Sequence, residues 1–421
     1  MQIKDILCYS TSINAFSLQL SHTFAGLRHR NFRLWFTGQM ISLVGTWMQS
    51  TAQSYLLFEL TGSPVMLGLA GFLAGIPVWL FSLLSGIISD RFSRKKVILY
   101  AQLFMMSLGG TLAVLTFLDL VQPWHILVLA FLLGSANAFD APARQSFVVE
   151  MVPKEDLTNA IALNSSIFNL GTIVGPSAAG IVYAWLGPAW CFTINTLSFI
   201  GVISALLLIN VPPREKTFQR ISPFKELNEG LHFVVRHREI RYLLINLAAA
   251  SVFSFSLFTL MPDWATTVLG GDVKTNGMLL SARGLGSLTA ALMVANLGSR
   301  VIRGKIWTAG GLVMPLAMLT LGAIRVLPVS LVSLVVLGWS LMSVVNITNT
   351  LIQSHVPDDI RGRAMSIYIL VFHGTYPLGA MLVGWSAGLL GSPTTIMLAA
   401  LIMAIIVISI HLLHPSIRKF N

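Results

Sequence analysis

Charge is what this 421-residue chain has least of. Asp, Glu, Lys and Arg make up 10% of it, against about 25% in soluble domains. With 55% hydrophobic residues, a water-soluble fold is excluded, because one core cannot absorb so much apolar area. Cysteine is nearly absent. Only Cys8 and Cys191 occur, one in the N-terminal stretch and one in an apolar run, so no disulfide and no metal site is expected. Acidic residues number 16 against 27 basic ones. The basic excess lies in short patches between apolar runs rather than on one face, which excludes nucleic acid as a partner. No Gly-x-x-x-x-Gly-Lys-Ser/Thr loop is present. The nearest stretch, Gly298 to Lys305, has the wrong spacing and continues with Ile306, and no His-Glu-x-x-His pair occurs. A membrane-embedded enzyme or a subunit of an ATP-driven pump would lack its chemistry here, and no cofactor is expected. Residues 1–27 are interrupted by Ser10, Thr11, Ser12, Asn14, Gln19 and His22 and do not read as a cleaved signal.

What the chain has in quantity is apolar length. Crossing the hydrocarbon layer takes about 20 mostly apolar residues, and twelve such runs occur. They cover 34–58, 64–88, 97–118, 125–147, 159–184, 189–210, 242–268, 276–298, 306–327, 329–352, 364–388 and 393–413. They are too long and too uniformly apolar for barrel strands, so they are expected to be helices. Short connections carry turn residues, as in Thr61-Gly62-Ser63-Pro64, Leu186-Gly187-Pro188 and Leu390-Gly391-Ser392-Pro393. One connection is long. It opens with Pro212-Pro213 and contains an amphipathic stretch from Phe224 to Val235, expected as a helix at the membrane surface.

The expected fold is therefore an all-α polytopic membrane protein with twelve transmembrane helices in two six-helix halves. A tail of residues 1–30 precedes the first bundle, 31–210. A linker, 211–240, leads to the second bundle, 241–414, and a tail of 415–421. With the N-terminus placed in the cytoplasm, all but Lys274, Arg283 and Arg325 of the 27 basic residues fall at the cytoplasmic side. This is the asymmetry of a multi-pass protein with both termini inside. An odd number of spans would scramble it.

The halves also repeat one another at an offset of 204 residues. Gly134 meets Gly338, Val152-Pro153 meets Val356-Pro357, Ala160 meets Ala364, Gly175 and Gly180 meet Gly379 and Gly384, and Leu186-Gly187 meets Leu390-Gly391. Parallel halves related by an axis along the membrane normal are a transporter architecture.

After the second run stands Gly86-Ile87-Ile88-Ser89-Asp90-Arg91-Phe92-Ser93-Arg94-Lys95-Lys96. It resembles the signature loop of the major facilitator superfamily, with Ser93 where glycine is usual. The resemblance implies a gating loop built on Gly86, Asp90, Arg91, Arg94 and Lys95. Asp90 would latch the cytoplasmic side against a helix start near Arg361-Gly362-Arg363. The alternative is plain topogenic charge facing an anionic leaflet. The second half echoes the loop in Arg300, Arg303 and Lys305, with Ser299 opposite Asp90. Gly171, Gly175, Pro176 and Gly180 in the fifth run resemble the antiporter motif of drug-exporting members, although small residues also serve ordinary helix packing. Asn31-Phe32-Arg33-Leu34, Gly45-Thr46-Trp47-Met48-Gln49, Met151-Val152-Pro153 and Ser222-Pro223-Phe224 are similar to the branch containing the enterobactin exporter and macrolide efflux proteins. The similarity extends over the chain after residue 27.

Polar stripes run along three of the four spans that line the central cavity in that superfamily. Gln39, Ser42, Thr46, Gln49 and Gln53 share one face of the first span. Asn137, Asp140 and Arg144 share one face of the fourth, and Ser343, Asn346, Thr350 and Gln353 one face of the tenth. The seventh offers Ser251 and Ser254. The substrate cavity is expected to involve Gln39, Ser42, Thr46, Gln49, Gln53, Asn137, Ser254, Asn346 and Thr350, with hydrogen bonding between helices as the alternative. The aromatics Trp47, Tyr55, Phe255 and Phe258 suit contact with an amphipathic ligand. Trp124, Trp190 and Trp264 read as interface anchors. Asp140 and Asp263 are the candidates for proton coupling; Asp140 with Arg144 also reads as a structural ion pair. Arg283 could bind an anion, pair with Asp263, or simply pack.

The resemblance implies a secondary active exporter of small hydrophobic or amphipathic molecules, siderophore-like or drug-like, working by alternating access. A proton gradient would be its energy source, the bilayer and a small-molecule substrate its partners, and the plasma (inner) membrane its place. A monomer is expected. An importer of the same fold and a non-transport membrane protein are the alternatives.

Overall fold

The computed structural model describes residues 25–211, 223–296 and 303–414; the side chains of residues 82–83, 86–91, 223–227, 295–296 and 358–359 lie outside what it describes. Every regular element among the described residues is helical. The first six spans are Arg30–Thr61, Pro64–Arg91, Arg94–Phe117, Pro123–Met151, Leu157–Leu186 and Pro188–Leu208. The linker holds the helix Pro223–Arg236. The last six spans are Arg238–Val268, Val273–Asn296, Arg303–Ala323, Leu327–His355, Asp358–Leu390 and Ser392–Leu413. Eleven of these helices are long and apolar enough to cross a membrane by length and composition alone. The remaining one, the first span, is 32 residues long and has its hydropathy diluted by its glutamines, serines and threonines.

Glycine and proline set the turns. Gly62, Gly187, Gly270 and Gly391 have φ of +58°, +90°, +62° and +80°. This is the left-handed region, which glycine enters without a Cβ clash. After three of them, Pro64, Pro188 and Pro393 open the next helix, where a missing N–H costs nothing. These four turns join spans 1–2, 5–6, 7–8 and 11–12, so all lie at one end of the bundle, here called the turn end. The linker and the basic loops lie at the other.

The halves meet along two seams, span 2 against span 11 and span 5 against span 8. Lipid offers no hydrophobic drive between helices, so close approach depends on small residues. A Cβ on Gly384 would come within 2.5 Å of Gly68 Cα, and one on Gly277 within 2.5 Å of the Pro176 carbonyl oxygen. Polar bonds add to the seams. The Ser177 and Ser281 hydroxyls are 2.7 Å apart, and the Trp79 indole donates to the Gly374 carbonyl at 2.7 Å.

The linker helix packs on span 11. Val234 is buried, Gly230 meets the Arg363 backbone, and Glu229 Oε2 lies 2.6 Å from Arg363 Nη1. Arg363, a candidate receiver for an Asp90 latch, is thus held by the linker. Asp90 itself, with Gly86 and Arg91, falls outside the described side chains. Arg94 donates to Glu150 at 2.8 Å and to the Ser146 carbonyl at 3.1 Å, and Lys95 to the Ile209 carbonyl at 2.7 Å. Trp264 is not an interface anchor. It is fully buried and donates to Ser330 Oγ at 3.2 Å, because its turn faces the second half's core. Trp124 and Trp190 are exposed.

Candidate functional site

Between the halves lies a cavity of about 360 Å³, within the usual range for small-molecule sites, about 300–1,000 Å³. Span 1 contributes Thr46, Gln49 and Gln53 along one face, and span 4 contributes Asn137. These four side chains, expected there from their spacing, are brought together. Gln49 is fixed by Asn195 of span 6, whose amide donates to it at 2.7 Å, and Asn195 in turn accepts from Ser198 at 3.1 Å. Asn195 lines the cavity as well. Sequence reasoning missed it, since a lone Asn in an apolar run shows no stripe.

Five expected residues lie outside this cavity. Gln39 and Ser42 are buried below it on span 1, and Gln39 accepts from Arg144 at 3.4 Å. Asn346 and Thr350 pair within span 10, with Thr350 Oγ1 donating to the Asn346 carbonyl at 2.9 Å. Span 10 packs against span 8 at Gly338, so Asn346 stands about 12 Å further toward the basic-loop end at 1.5 Å per residue. Ser254 is fully buried and donates to Met318 Sδ at 3.1 Å. Its displacement has a backbone cause. Span 7 is not a regular helix: Ala250–Phe255 and Trp264–Val268 are wound as π-helix, with a 3-10 segment Ser256–Leu260 between them. A wide turn followed by a tight one shifts the helical phase, so the face of span 7 turned to the cavity follows no regular 3.6-residue period. Phe255, Phe258, Thr259 and Pro262 reach the cavity instead.

Of the ligand-contact aromatics read from the sequence, Trp47, Phe255 and Phe258 line the cavity. Tyr55 stacks edge-on against Tyr183, whose hydroxyl donates to Glu59. Tyr376 of span 11 adds an aromatic wall, 5.1 Å from Phe255 between ring centres.

The charged groups divide sharply. Asp140 is wholly buried outside the cavity; its carboxylate lies 2.8 Å from Arg144 and accepts from Gln102 at 3.1 Å. Asp263, 5% exposed, accepts from Ser392 Oγ at the start of span 12 and does not pair with Arg283. Among the described residues, Arg283 is the one charged residue in the cavity wall. Its guanidinium lies 4.6 Å from the ring centre of Phe258 and 5.5 Å from that of Trp47.

In the antiporter-like motif, Gly171 and Gly175 admit Trp47 of span 1, Pro176 lines the cavity, and Gly180 meets the backbone of Lys274 in the other half. The motif thus joins the cavity wall to the seam.

Two parallel six-helix halves closed around a central polar and aromatic cavity define a solute transporter of the major facilitator class. The sequence profile of the transmembrane secretion effector family matches residues 21–419, and the chain belongs to that family. It is 23% identical over 412 residues to macrolide efflux protein A of Streptococcus pyogenes, covering 94% of this chain and 99% of that one. It is 22% identical to the staphyloferrin A transporter of Staphylococcus aureus over 368 residues, covering 85% and 90%. An enterobactin exporter of Shigella flexneri is 24% identical over 401 residues, covering 93% and 94%. Among solved structures, a bacterial homologue of the human lysosomal transporter Spinster, in an inward-facing unoccupied conformation, superposes with a TM-score of 0.72. It is 13% identical and covers 93% of this chain and 98% of that one. The nucleoside transporter NupG gives 0.70 at 14% identity, with 93% and 99% covered. These likenesses extend to the fold.

Proposed function

We propose that this protein exports small amphipathic molecules across the plasma (inner) membrane by alternating access, in exchange for protons, with both termini cytoplasmic. The observation that carries the reading is the cavity between halves joined at the turn end by the two seams. That geometry suits a state closed outside and loaded from the cytoplasm. The relatives named for macrolide efflux and enterobactin export favour outward movement, and the positive charges favour the orientation. Gly86, Asp90, Arg91, Arg94 and Lys95 would form the loop that closes the cytoplasmic side in the opposite state. The protein would work as a monomer within the bilayer.

Of the two acids buried among the described residues, Asp263 is the better proton carrier. Its partner Ser392 is a hydroxyl, which both donates and accepts and so keeps a bond to the acid in either protonation state. Arg144 can only donate, so Asp140 would lose its pair on protonation.

The test is transport of a panel of labelled amphipathic compounds in inverted vesicles and proteoliposomes under an imposed pH gradient. Gradient-driven accumulation inside inverted vesicles is expected. Accumulation only in right-side-out vesicles would make the protein an importer, and no movement of any compound in either would leave the transport reading without support. Asp263→Asn is expected to abolish the response to the gradient while substrate exchange at equal pH persists. An undiminished gradient response removes Asp263 as the carrier.

A further inference from the structure

Arg283 is 8% exposed, and its Nε has no hydrogen-bond partner. Among the described residues no carboxylate lies within ion-pair distance of it. The two acids buried among the described residues have partners of their own, Asp140 with Arg144 and Asp263 with Ser392. The groups beside Arg283 are the rings of Phe258 and Trp47, with Tyr376 of span 11 near enough to interact electrostatically but making no hydrogen bond to it. Rings attract a cation through their quadrupole but offer no oxygen to its N–H donors. Guanidinium donors stand in a planar fork that matches a carboxylate or a pair of acidic oxygens. An uncompensated cation in a membrane-embedded cavity is costly, and such groups mark substrate pathways.

We propose that Arg283 is the counter-charge for the transported molecule. The cavity then selects amphipathic anions: a carboxylate or a similarly acidic oxygen at Arg283, with an apolar or aromatic body against Phe255, Phe199 and Met105, and hydroxyls or amides against Gln49 and Asn137. An organic cation would meet the same positive charge without compensation. The inference rests on the exporter reading only in taking this cavity as the place the cargo occupies.

The test is equilibrium binding to the purified full chain in nanodiscs, with no gradient. Three probes share one fluorophore: dansylglycine (anion), dansylglycinamide (neutral) and dansylethylenediamine (cation). The wild type is expected to bind the anion at least tenfold more tightly than the amide, and the cation weakest. Arg283→Gln should erase the preference while changing amide affinity less than twofold; thermal unfolding checks that it is folded. Arg283→Lys, which keeps the charge but not the fork, should retain a reduced preference and serves as the reading if the Gln variant does not fold. Equal binding of all three probes, no binding of any, a wild-type preference for the cation, or an anion preference that survives in Arg283→Gln overturns the proposal. Binding at equilibrium carries no information on direction or coupling. Anion selectivity without gradient-driven export would sink the exporter reading alone, and export of cargo without charge selectivity would sink this one alone.

Discussion

The guanidinium of Arg283 sits 4.6 Å from the ring centre of Phe258, on the neighbouring span of the same half. The wider contact to Trp47, at 5.5 Å, crosses to the other half. One cation is therefore seated by its own bundle and shared with the facing one.

Phe258→Leu keeps the bulk but removes the quadrupole. A desolvated cation–π contact contributes about 2 kcal/mol, so a loss of about 1–3 kcal/mol in unfolding free energy is expected. Phe258→Tyr should lose almost nothing. Unfolding in mixed micelles would measure both, and equal losses would show that the ring's electrostatics do not hold Arg283.

Asp140 and Arg144 form a pair with no water-exposed acid in it. Breaking one side of a buried pair costs about 3–5 kcal/mol, whereas replacing both sides with apolar residues costs far less. Asp140→Asn is accordingly expected to destabilise more than the double change Asp140→Leu with Arg144→Leu. A double change that is the worse of the two would mean that the charges do more than neutralise each other.

The turn-end seam tolerates no added bulk at Gly384, whose Cβ would meet Gly68 Cα at 2.5 Å and the Pro64 carbonyl at 2.8 Å. Overpacking of this kind costs about 1–3 kcal/mol, and here it falls only on the joined state. Gly384→Val should widen the distance between spin labels placed at the turn-end tips of spans 2 and 11, and slow transport about tenfold. Unchanged distances would place the seam outside the moving parts.

The linker helix rests on Arg363 through Glu229 and Gly230. An exposed pair contributes about 0.2–1 kcal/mol, so Glu229→Gln should change global stability little. Gly230→Val pushes a side chain against the Arg363 backbone, 2.9 Å from its carbonyl oxygen, and should lift the helix. Hydrogen exchange across residues 223–236 is expected to rise modestly in the first variant and strongly in the second.

The twelve spans and the repeat were legible because they depend on run length and turn chemistry, which are local. Gly134 and Gly338, matched at the offset of 204, do equivalent work: Gly134 faces the Ala74 carbonyl of span 2, and Gly338 faces the Arg283 carbonyl of span 8. The faces of spans 1 and 4 followed a regular period, and Thr46, Gln49, Gln53 and Asn137 lie together. Ser254 had no stripe behind it, and the π and 3-10 turns of span 7, which leave no mark in residue spacing, bring Phe255 and Phe258 to the wall. Asn346 and Thr350 stand outside this wall because spacing gives a face but not a depth. Tyr376 was missed because span 11 was not among the spans read for polar or aromatic faces.

Span 4 carries its acid and its base four residues apart on one helix, so the two charges can cancel within the segment as it leaves the insertion machinery, without help from any other span. Span 8 has no such internal remedy for Arg283, and its partners Phe258 and Trp47 belong to spans already made. The order of synthesis therefore delivers this cation to a waiting aromatic seat, and biogenesis of the second half leans on the first being present.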